Sequence, residues 1–416
     1  MKPMQARRRF LGWIGLGLAG RLSGADWPQF LGPGRDGRAP DDVGLIGEFA
    51  DGEAKVLWTT SCGAGFAGPV MSGGAVLLFH REGELSVVES WDALTGKRRW
   101  KQTWGCSYRD DFGFDDGPRS SPTVAGGVVY CYSADGVLTA LDEKDGAVRW
   151  TRDMVSETGS EKGFFGRCSA PLVSGGLVFL SPGGKGAAAA AFDVKTGELR
   201  WKALDHEAGY ASPVLLPGKG AERVVFFTRE GVAVVDAASG KAGKLEPFRA
   251  RMEASVNAAS PVVCGPGRFF TSACYDTGAA LWEAGEGNEL KAVWREKERL
   301  DCHYATPVLC GDVLVGFHGR QEEGQELRAV AVADGAVRWA VPLAAGHVVV
   351  CGRRLVILTE KGELILADVD GEKRPELKER VSVVRGGHRA PPALAGGLLA
   401  VRDKSRLVCV DLRAGK

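Results

Sequence analysis

The side chains in this sequence best suited to chemistry recur at one kind of place, two to four residues ahead of a proline that opens an apolar run. Phe66 precedes Pro69, Arg119 and Ser120 precede Pro122, Arg167 precedes Pro171, and Tyr210 precedes Pro213. Asn257 precedes Pro261, His303 and Tyr304 precede Pro307, and His388 and Arg389 precede the Pro391-Pro392 pair. His347 holds the comparable place in a unit without the proline. An arginine offers two parallel donors to a carboxylate. With His, Tyr and Asn beside it, such a set suits a polar pocket for an anionic or sugar-like ligand. The same side chains would also sit well at a wet channel mouth, satisfied by water.

Catalysis and metal binding find less support. His303 follows Cys302, but no second ligand stands at a recognisable metal spacing, so no metal site is assigned. Asp110, Asp111, Asp115, Asp116 and Asp301 raise the question of calcium. The stretch 108–117 is acidic, aromatic and glycine-bearing, and reads as a solvated loop over one face. No nucleophile–base constellation is visible, and no catalytic residue is assigned.

The elements that must position these residues come from a repeat. Eight times an apolar run begins, turns at Gly-Gly or a polar equivalent, runs again and turns again. A third run then ends in an Asp-containing turn, and a fourth short run follows. Gly126-Gly127, Gly175-Gly176 and Gly396-Gly397 supply the positive φ of tight hairpins. The Asp of turns such as Asp92 to Gly96 and Asp193 to Gly197 can bond its own backbone. Proline at a strand's first position removes an N–H where that does least harm. Four antiparallel strands in roughly 40–50 residues is the blade of a β-propeller. The expected fold is therefore all-β, an eight-bladed propeller. Seven blades is the alternative if the unit from Gly346 to Glu379 is incomplete. Ala187 to Ala191, helical by propensity, reads as a strand between two turns.

Tryptophan marks the fourth strand. Trp100, Trp150, Trp201, Trp294 and Trp339 each follow the turn of their unit by a few residues. Trp58 has no turn before it, and the last unit reaches Lys416 where a fourth strand should begin. The N-terminal strand around Trp58 is thus expected to complete the last blade, which would remove the sheet edges of an open array.

The segments 92–100 (DALTGKRRW) and 192–201 (FDVKTGELRW) resemble the tryptophan-docking motif of propellers with the pyrroloquinoline-quinone (PQQ) repeat, and the likeness spans residues 55–416. Trp27 to Pro33 and Arg35-Asp36-Gly37 resemble the segment preceding the first blade in exported members. The resemblance implies that Trp58, Trp100, Trp150, Trp201, Trp294 and Trp339 dock onto neighbouring blades. It covers quinoprotein dehydrogenases and non-enzymatic scaffolds of the BamB type. This sequence lacks the vicinal Cys pair, the Cys-x-x-Cys-His haem site and any assignable calcium cluster of the dehydrogenases. The reading preferred is a scaffold binding a protein, peptide or glycan through one propeller face, with no cofactor. The alternative is a PQQ-dependent dehydrogenase of an alcohol or sugar, with PQQ and Ca²⁺ on the axis and Asp301 near the Arg and His ring.

Composition agrees with a folded, exported monomer. Of 416 residues 44% are hydrophobic and 59 are glycine, about twice the usual share without a collagen period. Residues 1–25 read as a twin-arginine signal, with Arg7-Arg8-Arg9, a short apolar run and Ser23-Gly24-Ala25 before cleavage. Residues 26–54 form an extension ahead of the propeller at 55–416. The apolar run is too short to span a membrane, and a periplasmic or secreted location follows. Without that segment's five basic side chains the formal charge falls from +1 to −4, which argues against nucleic acid. The ten cysteines show no paired spacing and are expected to be mostly free, with Cys62, Cys106 and Cys168 the candidates for a bridge.

Overall fold

Apolar runs between glycine turns become strands, and each group of four forms one antiparallel sheet. The computed structural model describes residues 26–415 apart from 41–43, 208, 219, 250–251, 253–255, 321–323 and 388. Residues 1–25, read above as an export signal, and His388 therefore lie outside the described residues. Blade 1 consists of Val70–Ser72, Ala75–Glu82, Leu85–Asp92 and Arg98–Gly105, paired in that order. Blades 2 to 6 open with Thr123–Ala125, Leu172–Ser174, Val214–Leu216, Val262–Gly265 and Val308–Cys310 and repeat the same order. The unit without proline is a full blade 7, formed by Gly346–Cys351, Arg354–Thr359, Glu363–Asp368 and Val381–Ser382. Blade 8 takes Ala393–Ala395, Leu398–Arg402 and Arg406–Asp411 from the C-terminal end. Its outer strand is Val56–Ser61, antiparallel to Arg406–Asp411 with Trp58 opposite Cys409. The ring has eight blades and closes through its N-terminal strand. Among the described residues the one α-helix is the short Met154–Thr158.

The core lies between blades. Val128, Tyr130, Tyr132 and Leu138 of blade 2 pack with Val178, Leu180, Ala190 and Phe192 of blade 3. Each middle strand is sandwiched by two neighbours, so Val128–Tyr132 is buried along its whole length rather than alternating. Ala189–Asp193 is a strand with fully buried alanines, where tertiary packing overrides helix propensity. All ten cysteines are free thiols, Cys62, Cys106 and Cys168 included.

Tryptophans fasten the rim. The indole N–H of Trp58 donates to Ala93 O, that of Trp100 to Glu143 O and that of Trp150 to Val194 O. Trp201, Trp294 and Trp339 reach Ala237 O, Val332 O and Asp370 O in the same way. Each acceptor lies in the Asp turn of the next blade, and the rings of Trp58, Trp100, Trp150, Trp201 and Trp294 lie on that turn's glycine. A Cβ on Gly146 (φ +76°) would stand 2.6 Å from Trp100.

A second set of latches surrounds the axis. The hydroxyls of Ser121, Ser212, Ser260 and Thr306, each just before the strand-opening proline, accept the N–H of Gly68, Ala170, Ser212 and Ser260, all at 2.9 Å. The small residue before proline is thus a blade-to-blade hydrogen bond.

Residues 27–39 occupy the channel. Trp27 pairs with Met71 of blade 1, Pro28 O accepts Val124 N–H of blade 2, and Arg38–Ala39 adds a parallel strand to blade 7. Arg35 lies wholly buried among these contacts. Its guanidinium donates to Pro213 O at 2.9 Å, Ala170 O at 3.3 Å, Pro171 O, Thr123 Oγ1 at 3.3 Å and Gln29 Oε1 at 2.8 Å. Burial lowers its pKa to about 9, so it stays cationic at neutral pH, stabilised by carbonyl dipoles of blades 3 and 4.

Candidate binding pocket at the channel mouth

Above Phe30 of the channel segment, the residues leading into the inner strands converge on a cavity of about 280 Å³. Phe66, Arg119, Tyr210, His303, Tyr304, His347 and Arg389 all line it. On one side Tyr275, His303, Tyr304 and His347 form an arc of edge-to-face rings, each 5.6 Å from the next. Arg320 lies over Tyr275 at 4.5 Å and Arg389 over Tyr304 at 5.3 Å, both within cation–π range. Tyr275 Oη and His303 Nε2 share a hydrogen bond of 2.9 Å. The Tyr304 hydroxyl donates to Glu360, which also takes the Nε–H of Arg389 at 3.1 Å. Burial and the neighbouring Glu360 charge push the Tyr304 hydroxyl well above the ordinary phenol range.

On the other side two loops rise over the pocket. In residues 108–117 the Asp110 carboxylate accepts the N–H of Phe112 (3.2 Å), Phe114 (2.9 Å) and Asp115 (3.0 Å), and Arg119 donates to it at 3.2 Å. Asp116 accepts Asp110 N–H, Asp115 accepts Gly117 N–H, and Asp111 pairs with Lys162 at 2.6 Å. These carboxylates accept backbone or side-chain donors, so the loop caps its own turn. In the second loop the Tyr210 hydroxyl accepts the N–H of Phe164 (2.9 Å) and Phe165 (3.2 Å). Arg119 lies between the Phe66 and Phe165 rings, at 5.3 and 5.6 Å.

Three described residues of the sequence-derived set point elsewhere, the first being Ser120, buried with its hydroxyl donating to Ser169 O at 3.1 Å. Arg167 is buried and braces the second loop through Ser160 Oγ at 2.7 Å. Asn257 is buried, its amide donating to Thr228 O, Arg229 O and Phe248 O at 2.8–3.1 Å. Asp301 is not in the pocket wall either; its Oδ2 accepts Glu298 N–H at 3.1 Å. Sequence reasoning missed Phe30, Phe114, Phe165, Tyr275 and Arg320. Tyr275 and Arg320 follow the second strands of blades 5 and 6, so the hairpin ends on this face carried a signal that the pre-proline positions did not include.

Burial pushes the Cys168 thiol and the Tyr210 hydroxyl each to about 12, so both stay protonated at neutral pH. Burial lowers the His347 pKa, and its Nε2–H donates to Arg389 O at 2.8 Å. Among the described lining residues none carries a carboxylate or a carboxamide.

The group of His, Asp and Glu side chains close enough to share a cation lies away from the pocket, at His80, Glu82 and Glu89. His80 Nδ1 accepts Gly63 N–H at 2.9 Å, and its Nε2 lies 3.1 Å from Glu89. A metal on Nε2 would require a proton on Nδ1, facing that amide donor. The cluster is a buried His80–Glu89 pair that Arg98 and Lys101 join from the surface.

Residues 43–162 and 86–341 match the PQQ-like family described as outer membrane protein assembly factor BamB. The chain belongs to that family. The BamB of Yersinia pestis is 35% identical over 83 residues, a stretch spanning 20% of each chain. The crystal structure of BamB from Moraxella catarrhalis superposes with a TM-score of 0.61 at 13% identity, covering 86% of this chain and 99% of that one. Quinohemoprotein alcohol dehydrogenase from Comamonas testosteroni gives the same TM-score at 14% identity, covering 94% of this chain and 81% of the enzyme. At such identities these likenesses show the fold alone, which BamB and the dehydrogenase share.

Proposed function

We propose that this chain is an exported, non-enzymatic scaffold that binds a partner through the pocket face of its propeller, as BamB-type proteins are named for outer membrane protein assembly. The observation that carries the reading is the pocket wall, an aromatic arc crossed by arginines and, among the described residues, without a carboxylate or carboxamide. A glycan or a protein segment would meet stacking faces there. The quinoprotein reading asks for oxygen ligands to hold Ca²⁺ beside the quinone. The described wall has no carboxylate or carboxamide, and Glu360 is already shared by Tyr304 and Arg389, so the residues present do not fit that group.

Calorimetric titration of the purified protein with PQQ, with and without Ca²⁺, tests this reading. It should give no saturable heat, and no dye-linked oxidation of alcohols or sugars should follow. One-site binding followed by turnover would make the chain an enzyme.

A further inference from the structure

Resting on the scaffold reading, we infer that the partner presents an extended polypeptide segment with two large apolar side chains two positions apart, at least one of them aromatic. One side chain enters the cavity against Phe114, and the other lies on Phe112.

The hydrogen bonds within the pocket wall select an apolar ligand. Tyr275 and His303 bond each other, Tyr304 and Arg389 both hold Glu360, and His347 donates to Arg389 O. Arg119 donates to Asp110, and the Tyr210 hydroxyl accepts two backbone N–H groups. The Ser121 and Ser212 hydroxyls accept the N–H of Gly68 and Ala170. These polar groups are engaged within the protein, so what the wall offers an incoming group is the faces and edges of its rings. A charged or hydroxyl-rich group, a sugar included, would lose water there without gaining matching partners. An aromatic side chain gains the edge-to-face contacts that the wall already makes within itself. At about 280 Å³ the cavity is smaller than the pockets that hold drug-sized ligands, the scale of one large side chain.

The platform beside the cavity selects a chain over a small molecule. Phe112 and Phe114 are 50% and 54% exposed, although Asp110 caps the backbone of both and Lys162 ties their loop to its neighbour. Two apolar rings held in water on a braced loop mark an interaction site. Half of an aromatic side chain is about 100 Å². The pair therefore falls far short of the roughly 800 Å² per partner that a stable protein–protein interface buries. That area suits the anchor of a segment and not the seat of a second copy of this chain. The two ring centroids are 6.3 Å apart. Alternate side chains of an extended chain stand about 6.6 Å apart on one face, so residues i and i+2 reach both rings. Phe114 lines the cavity and Phe112 lies beside it. A molecule that filled only the cavity would leave Phe112 uncovered, whereas a chain running from cavity to loop covers both.

The test is selection of phage-displayed random dodecapeptides on the full chain, with counter-selection on the Phe112→Ser, Phe114→Ser double variant. Those side chains are half-exposed, so the variant keeps the fold, checked by circular dichroism. Enriched peptides should carry Trp, Phe or Tyr two positions from a second large apolar residue. In fluorescence anisotropy, a synthetic copy should weaken at least about tenfold on the double variant, and again when either apolar residue becomes Ser. Its affinity should hold between about 0.1 and 1 M NaCl, because no ion pair is formed. Peptides that need a charged residue and weaken as salt rises would overturn the inference and leave the scaffold reading standing. No enriched peptide, binding indifferent to the platform, or ligands found among glycans alone would overturn it likewise. PQQ-dependent turnover would instead remove the scaffold reading itself.

Discussion

The tryptophan latch can be measured by two alanines placed on one blade. Gly127 and Gly146 both belong to blade 2 and share a φ of +76°, so alanine meets the same left-handed backbone at each. At Gly127 an added Cβ meets nothing within 4 Å. Gly127→Ala therefore reports backbone strain alone, about 1–2 kcal/mol, less the small gain from a stiffer unfolded chain. At Gly146 the Cβ stands 2.6 Å from Trp100 Cε3, so the indole must retreat by about 1 Å to reach ordinary contact. That movement stretches the 2.9 Å bond from Trp100 Nε1 to Glu143 O, worth about 1 kcal/mol, and adds an overpacking cost of about 1–3 kcal/mol. Gly146→Ala should then lose about 2–4 kcal/mol more than Gly127→Ala. Urea unfolding followed by tryptophan emission measures both, with equal m-values required for the comparison. Equal losses at the two sites would refute the claim that the indole is seated on the neighbouring turn.

Two further outcomes are expected. Arg35→Met leaves Pro213 O and Ala170 O without their buried donor and should cost about 2–5 kcal/mol, seen as faster hydrogen exchange across residues 27–39; unchanged protection would show that Arg35 does not hold the channel segment. Asp301 is buried with Oδ1 facing no donor, and burial raises its pKa to about 6. A folded pKa above the unfolded value of about 3.9 means that stability is highest in acid and falls as pH rises through 6. Asp301→Asn should thus raise the unfolding free energy by about 2–3 kcal/mol at pH 8 and change it little at pH 4. A pH-independent effect would refute the assignment.

Much of the candidate site was legible because proline marks where inner strands begin, and the residue before a strand opening at the axis must sit near the channel mouth. Arg119, Tyr210, His303, Tyr304, His347 and Arg389 reached the pocket by that rule. Arg167 and Asn257 obey the same spacing yet turn inward, because a carbonyl of its own loop takes Arg167 and carbonyls of the preceding blade take Asn257. Phe165 reaches the pocket only because Tyr210, from another blade, caps the backbone of its loop.

Sequence alone pointed to eight blades, with seven left open, and to the closing strand and the tryptophan register. Each is local: glycine sets a turn, Asp bonds two or three residues ahead, and apolar runs report strands buried on both faces. Only the tertiary structure decided that residues 27–39 fill the channel, that Asp110 caps the turn beneath Phe112 and Phe114, and that two distant loops present those rings beside the arginine pocket. Those facts depend on contacts between residues far apart in the chain, where side-chain direction is set by whichever neighbour the closed ring brings within hydrogen-bonding distance.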